Sequence, residues 1–133
     1  MRLLLIALAL LLGACATQSG SVPFQPFSDI PVPVQWVPYS RDSVIMQTPQ
    51  LTVAKLIYFA ETKPDVTMEH ARQLLTRMGW TETRAERFVN PERFPGIWAD
   101  FTKGDDICRV TVIEGTNASH VDYVVARHNK PPR

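Results

Sequence analysis

The sequence predicts an α+β fold: an antiparallel sheet of about five strands with one helix packed on one face, in the order β-β-α-β-β-β. Three observations carry this expectation. Residues 67–78 repeat apolar side chains at helical spacing (Ala71, Leu74, Leu75, Met78) and stop at Gly79. The runs on either side alternate at period two, as strands do. Short turn-forming stretches such as Gly104-Asp105-Asp106 and Gly115-Thr116-Asn117-Ala118 separate the later runs, so strands adjacent in sequence pair as hairpins. A helix segregated to one face of an antiparallel sheet buries both elements' apolar surfaces in two layers.

Ahead of this unit lies an N-terminus of different texture. Arg2 precedes an apolar run from Leu3 to Ala14, shorter than the about 20 residues of a membrane-spanning helix. A basic start, a short apolar stretch and small residues at its end read as a secretory signal peptide over 1–14. The closing Leu12-Gly13-Ala14-Cys15 resembles a bacterial lipobox. The resemblance implies cleavage between Ala14 and Cys15, lipidation of Cys15, and an outer-membrane address facing the periplasm, because Ala16 rather than Asp follows the cysteine. Two or more acyl chains give stable attachment where one gives only marginal binding.

Residues 15–40 are expected to hold the lipidated end, a small polar tether, and an extended segment. Pro23, Pro26, Pro31, Pro33 and Pro38 rule out a continuous helix or central strand there. The interleaved Phe24, Phe27, Ile30, Val32 and Trp36 are too apolar for a plain linker. The segment is therefore expected to lie along the domain with Ile30, Val32 and Trp36 partly buried. The domain itself is placed at 41–127 and a polar, fraying tail at 128–133.

Within the domain, 43–48 and 51–60 read as a hairpin turned at Thr48-Pro49-Gln50, the second run apolar on both faces. Thr67 is the expected cap of the 67–78 helix. Strands follow at 80–88, 97–103, 107–114 and 120–127, with a Pro/Gly loop over 90–96.

Phe27-Ser28-Asp29-Ile30-Pro31-Val32-Pro33, Gly79-Trp80 and the stretch from Phe101 to Cys108 resemble a family of small, uncharacterised proteobacterial lipoproteins. The family combines a lipobox, an F-x-D-I-P-x-P-like segment and a compact α+β domain. The resemblance spans most of 27–125 and implies fold and localisation; it brings no catalytic residues.

Charge excludes some partners. Of 14 Lys+Arg, signal-peptide removal takes only Arg2, which leaves 13 against 13 Asp+Glu. A balanced chain has no basic footprint for nucleic acid. Of the two cysteines, Cys15 is assigned to lipid, so Cys108 has no disulfide partner within the chain.

No catalytic set is visible. Cys108 shares a strand face with Val110 and Val112, which favours core packing over nucleophilic chemistry. His120 and Asp122 share one strand face but fall short of the ligands a metal needs. Asp105-Asp106 lacks calcium-loop spacing. No metal and no cofactor are expected. The aromatic residues Trp36, Tyr39, Phe88, Phe94 and Trp98 lie near proline-punctuated stretches and are candidate interface anchors. The expectation is a non-enzymatic outer-membrane lipoprotein, an envelope binding or accessory module held by Cys15 and engaging an envelope protein. The alternative is a small hydrolase or a ligand- or metal-binding lipoprotein using His120 and Asp122.

Overall fold

A computed structural model describes residues 22–130. The lipobox with Ala14 and Cys15, most of the tether, and the last three residues lie outside the described residues. The elements are β1 (Val37–Pro38), β2 (Val44–Gln47), β3 (Leu51–Ala60), α1 (Pro64–Arg77), β4 (Thr81–Val89), β5 (Pro95–Lys103), β6 (Asp106–Ile113) and β7 (Ser119–His128). Among the described residues every strand pairing is antiparallel and one helix packs on the sheet, so the fold is α+β.

The sheet has seven strands rather than about five, ordered β1-β3-β7-β6-β5-β4, with β2 also on β3. Only β1 has no counterpart among the expected runs, since the 43–60 hairpin and the four runs after the helix already make six strands. β1 and β2 follow one another along the same edge of β3, Val37 opposite Phe59 and Val44 opposite Lys55. β1 sits inside the proline-rich stretch, where Pro38 is tolerated because an edge strand need not donate every N–H. The order also departs from simple succession. α1 carries the chain from β3 to the far edge, and β7 returns to pair with β3 along its whole length, Leu51 opposite His128 through Ala60 opposite Ser119.

α1 begins one turn before the expected Thr67. Pro64 occupies the first turn, its fixed φ suiting that position, and Lys63 stands at the N-cap without a side-chain cap. Thr67 points inward instead, donating to Thr62 O at 3.0 Å. Ser119 Oγ donates to the same carbonyl at 2.6 Å, which ties the helix start to β7. The buried seam is Thr67, Met68, Ala71 and Leu75, while Leu74 is half-buried and Met78 exposed. The seam is rotated because α1 lies across β4, β5 and β6 rather than along one strand. At its end Gly79 (φ 88) donates to Thr76 O and Trp80 N to Leu75 O, the paired bonds of a Schellman stop.

α1 covers only half of the sheet. Over β3 and β7 the covering layer is the proline-rich segment, where Ile30, Val32 and Trp36 are buried more completely than expected. Trp36 rests against Tyr58 and Tyr123, with ring centroids 6.3 and 6.4 Å away, and Phe24 packs edge-on against Tyr58 at 5.8 Å. Tyr58 OH donates to Phe24 O at 2.7 Å. A segment lacking regular hydrogen bonds thus completes the core by aromatic burial, worth several kcal/mol by area alone, about 25 cal/mol per Å².

Two ends differ from expectation. The 128–133 tail is held at its start: Asn129 N donates to Gln50 O (2.8 Å) and its amide to Thr48 O (2.7 Å). The β4–β5 loop shortens to 90–94 because Phe88 lies over Gly96. A Cβ there would stand 2.5 Å from the Phe88 ring, so only glycine lets the ring close over the strand.

Candidate functional site

Among the described residues the second face of the sheet is open over β5, β6 and β7; over β3 Tyr39 packs on Phe59, and Ile57 is only 3% exposed. Alternation decides which side chains it shows. Val121, Tyr123 and Val125 point into the core, so His120, Asp122 and Val124 point out. By register, β3 adds Lys55, Ile57 and Phe59, β6 adds Arg109 and Thr111, and β5 adds Trp98 and Asp100.

The middle of this face is a band of paired charge. Arg109 grips Asp100 through two hydrogen bonds, Nε to Oδ1 at 2.6 Å and Nη2 to Oδ2 at 2.8 Å. That bidentate grip, against a smaller opposing effect of burial, holds the Asp100 carboxyl below its ordinary pKa, aided by the charges of Arg109 and Arg84. Arg109 and Arg84 lie over the Trp98 ring, 4.3 and 5.1 Å from its centroid. Lys55 Nζ stands 3.7 Å from Asp122 Oδ2.

Four of the five candidate aromatics belong to this surface or its rim. Tyr39 packs on Phe59 at 5.4 Å, Phe88 and Trp98 lie on the open side by register, and Phe94 stands in the β4–β5 loop beside Arg93, whose φ of 67 is left-handed. Asn90 shapes that loop by accepting from Phe94 N at 2.8 Å. Trp36 does not belong: it is 3% exposed and offers its ring to the core, not to a partner. Proline-punctuated sequence marks a covering segment as readily as a docking loop, and there the apolar neighbours Ile30 and Val32 decide.

His120 and Asp122 do come together, Nε2 to Oδ1 at 3.4 Å, with His120 stacked on Phe59. Asp122 Oδ1 has no hydrogen-bond partner. No group of three or more His, Cys, Asp or Glu side chains suited to a metal occurs among the described residues. Cys108 lies in the core at 0% exposure, and burial pushes its thiol up to about 12. A thiol so held is neutral at physiological pH and out of reach of substrate.

Residues whose roles sequence patterning left unassigned form a second cluster at the opposite end of the sheet. Asp29 accepts two bonds from Arg127 Nη2 (2.8 and 2.7 Å) and one from Lys103 Nζ (3.0 Å). Arg127 Nε donates to Asp106 Oδ2 at 2.9 Å, and its guanidinium lies 5.2 Å from the Phe27 ring centroid. Trp80 Nε1 donates to Asp29 O at 2.8 Å. Burial alone would raise the Asp29 carboxyl; the bonds and charges of Arg127 and Lys103 outweigh it and hold the pKa below the ordinary value. Phe27, Asp29, Trp80, Lys103 and Asp106 come from the three stretches singled out in the sequence, and here they fasten the proline-rich segment to β5, β6 and β7. The signal was a lone acid inside an apolar, proline-rich run. An open cleft of about 1330 Å³ adjoins the cluster between the β2–β3 and β5–β6 turns. Its central charges satisfy one another, so its chemistry is that of a fastening.

No protein-family model, no curated protein and no solved structure matches this chain.

Proposed function

We propose that this protein is an outer-membrane lipoprotein, anchored by lipid on Cys15 and facing the periplasm, that serves as a non-enzymatic binding module for an envelope protein through the open face of its sheet. The observation that carries the reading is that face: an aromatic and paired-charge surface bearing Trp98, Tyr39 and Phe88, with Phe94 at its rim. Rigid aromatic and arginine side chains are the residues that anchor protein interfaces. The lipobox Leu12-Gly13-Ala14-Cys15 supports the anchor, and the polar stretch after it gives the domain reach from the bilayer. The resemblance to small proteobacterial lipoproteins supports the same address.

Two experiments test the two halves. A Cys15→Ser variant is expected to carry no lipid and to keep its signal peptide uncleaved; mature, membrane-bound protein would refute the anchor. A photoactivatable residue at Trp98 or Phe94 is expected to cross-link to protein in intact cells, and no cross-link from either would refute the binding face.

The 3.4 Å approach of His120 to Asp122, with one carboxylate oxygen unpartnered, supports a second reading as a small hydrolase or a ligand- or metal-binding lipoprotein. Under it, His120→Ala with Asp122→Ala abolishes zinc binding measured by calorimetry on the wild type. No zinc uptake by the wild type, together with unchanged cellular phenotypes in the double variant, would remove it.

A further inference from the structure

We infer that two copies of this chain join along the free edge of β4, antiparallel about a two-fold axis at Ala85, so that their sheets run on as one. That edge lies apart from the open face proposed above as the binding surface.

β4 is the last strand of the sheet, and among the described residues no strand pairs with its outer side. The opposite edge is blunted as free edges are: β1 and β2 are two and four residues long, and β1 contains Pro38. β4 has nine residues and no proline, and each is exposed apart from half-buried Phe88.

Hydrogen-bond phase decides which backbone groups this edge offers. Asn90 N donates to Phe94 O at 2.9 Å, and β4 keeps that register with β5, so Phe88, Glu86 and Arg84 turn their N–H and C=O towards β5. Ala85 and Arg87 turn theirs outward. The register then shifts between Glu82 and Arg84, stepping over Thr83 as a bulge. Beyond it Glu82 stands opposite Phe101, which turns its own groups to β6 in phase with the Glu114 N to Pro95 O bond. Glu82 therefore also turns outward.

About an axis at Ala85, outward residues meet outward residues and every charge meets its opposite. Ala85 faces its own copy, and Arg84 faces Glu86 on the open side, where Asp100 and Trp98 are their β5 neighbours. With Thr83 stepped over here too, Glu82 faces Arg87 on the helix side, beside Phe101 and Ile97. Each pair occurs twice, so all four charged side chains of β4 are matched. An axis at Arg84, Glu86 or Arg87 would instead set that side chain against its own copy, like charge on like. Charges on a free edge repel strands of the wrong pattern, and this order admits its own.

The helix side has room for the contact. Ala85 leaves a groove of about 160 Å³ between α1 and β4, lined also by Arg72, Arg87 and Ile97. Glu82 already meets Arg72 of α1, and Arg87 meets Asp65. Joining Glu82 of one copy to Arg87 of the other therefore links the two helices through alternating charges. Nine residues at about 3.4 Å, across a layer about 10 Å thick, bury roughly 300 Å² per copy, which is the scale of a weak contact. Its strength, though not its geometry, rests on the lipid anchor proposed above, since confinement to a membrane raises the effective concentration.

Cysteine cross-linking in membranes carrying the full chain tests it, and fractionation of the same sample reads the anchor separately. Hydrogen-bonded partners in an antiparallel ladder stand about 5.5 Å apart at Cα, within disulfide reach. Ala85→Cys is therefore expected to give a species of twice the mass on mild oxidation. Val89→Cys, about 27 Å from its copy, is not. Adding Arg84→Glu to Ala85→Cys is expected to cut the yield several-fold, and adding Glu86→Arg to both is expected to restore it, because the exchange keeps the match. Shielding of Cys108 from thiol reagents reports that each variant is folded. Should Ala85→Cys not fold, Glu82→Cys/Arg87→Cys takes its place, the two positions lying about 14 Å apart within one chain. A folded variant of either kind that stays monomeric overturns the inference. Equal cross-linking from Val89→Cys, or a yield that Arg84→Glu leaves unchanged, overturns it as well.

Discussion

Asp29 sits where the proline-rich segment meets the sheet, and its carboxylate is worth more than its exposure suggests because three donor bonds converge on it. Removing the charge leaves Arg127 half-served in a partly buried site. Asp29→Asn is expected to cost about 1–3 kcal/mol, read as a lower urea midpoint at unchanged m. The folded carboxyl keeps its charge to lower pH than the unfolded one, so its contribution is full at neutral pH. It drains as pH falls below about 4. Stability of the wild type should therefore fall more steeply with acid than that of Asp29→Asn, measured by urea melts across that range. Cys108 makes a simpler case. With its thiol at about 12 by burial, it should resist a disulfide reagent in the folded protein and react promptly in denaturant. Reaction at equal rates in both states would contradict its place in the core.

The proline-rich segment is the element whose role changes most between sequence and structure. Its apolar content was legible, and so was its inability to form a helix or a central strand. Partial burial of Trp36 was legible too; that its ring is wholly enclosed, with no side left for a partner, was not, because proline spacing says where the chain turns and not how deeply a side chain meets a sheet. The same limit explains the strands. The hairpins 43–60 and 95–113 could be read from turn residues, since their partners are local. The β3–β7 ladder joins residues with the whole helix and three strands between them, and no local pattern carries it. Of the candidate site, His120 and Asp122 were placed on a common face by period two alone, whereas the Asp100–Arg109–Trp98 group required cross-strand register. Trp36→Ala is expected to cost about 3–5 kcal/mol, seen as a lost or strongly lowered thermal transition. A loss under about 1 kcal/mol would mean that the segment only rests on the sheet. Gly79→Ala, at φ 88 in the helix stop, is expected to destabilise by about 1 kcal/mol or more on the same assay.

At the scale of the molecule, the sheet's two faces have different fates. One is sealed by α1 and the proline-rich segment, and the ion cluster at Asp29 holds that seal. The other carries Trp98 beside two guanidinium groups and the Arg109–Asp100 pair. Among the described residues no helix is long and apolar enough to cross a membrane; the attachment proposed above is through lipid on Cys15. A domain tethered in this way meets partners confined to the same surface, where high effective concentration lets a face of modest area serve. Site-specific photo-cross-linking in intact cells, from Trp98 on the open face and from Gln73 on the exposed side of α1, tests that division most directly. The account predicts protein adducts from Trp98 and none from Gln73; adducts from Gln73 alone, or from neither position, would contradict it.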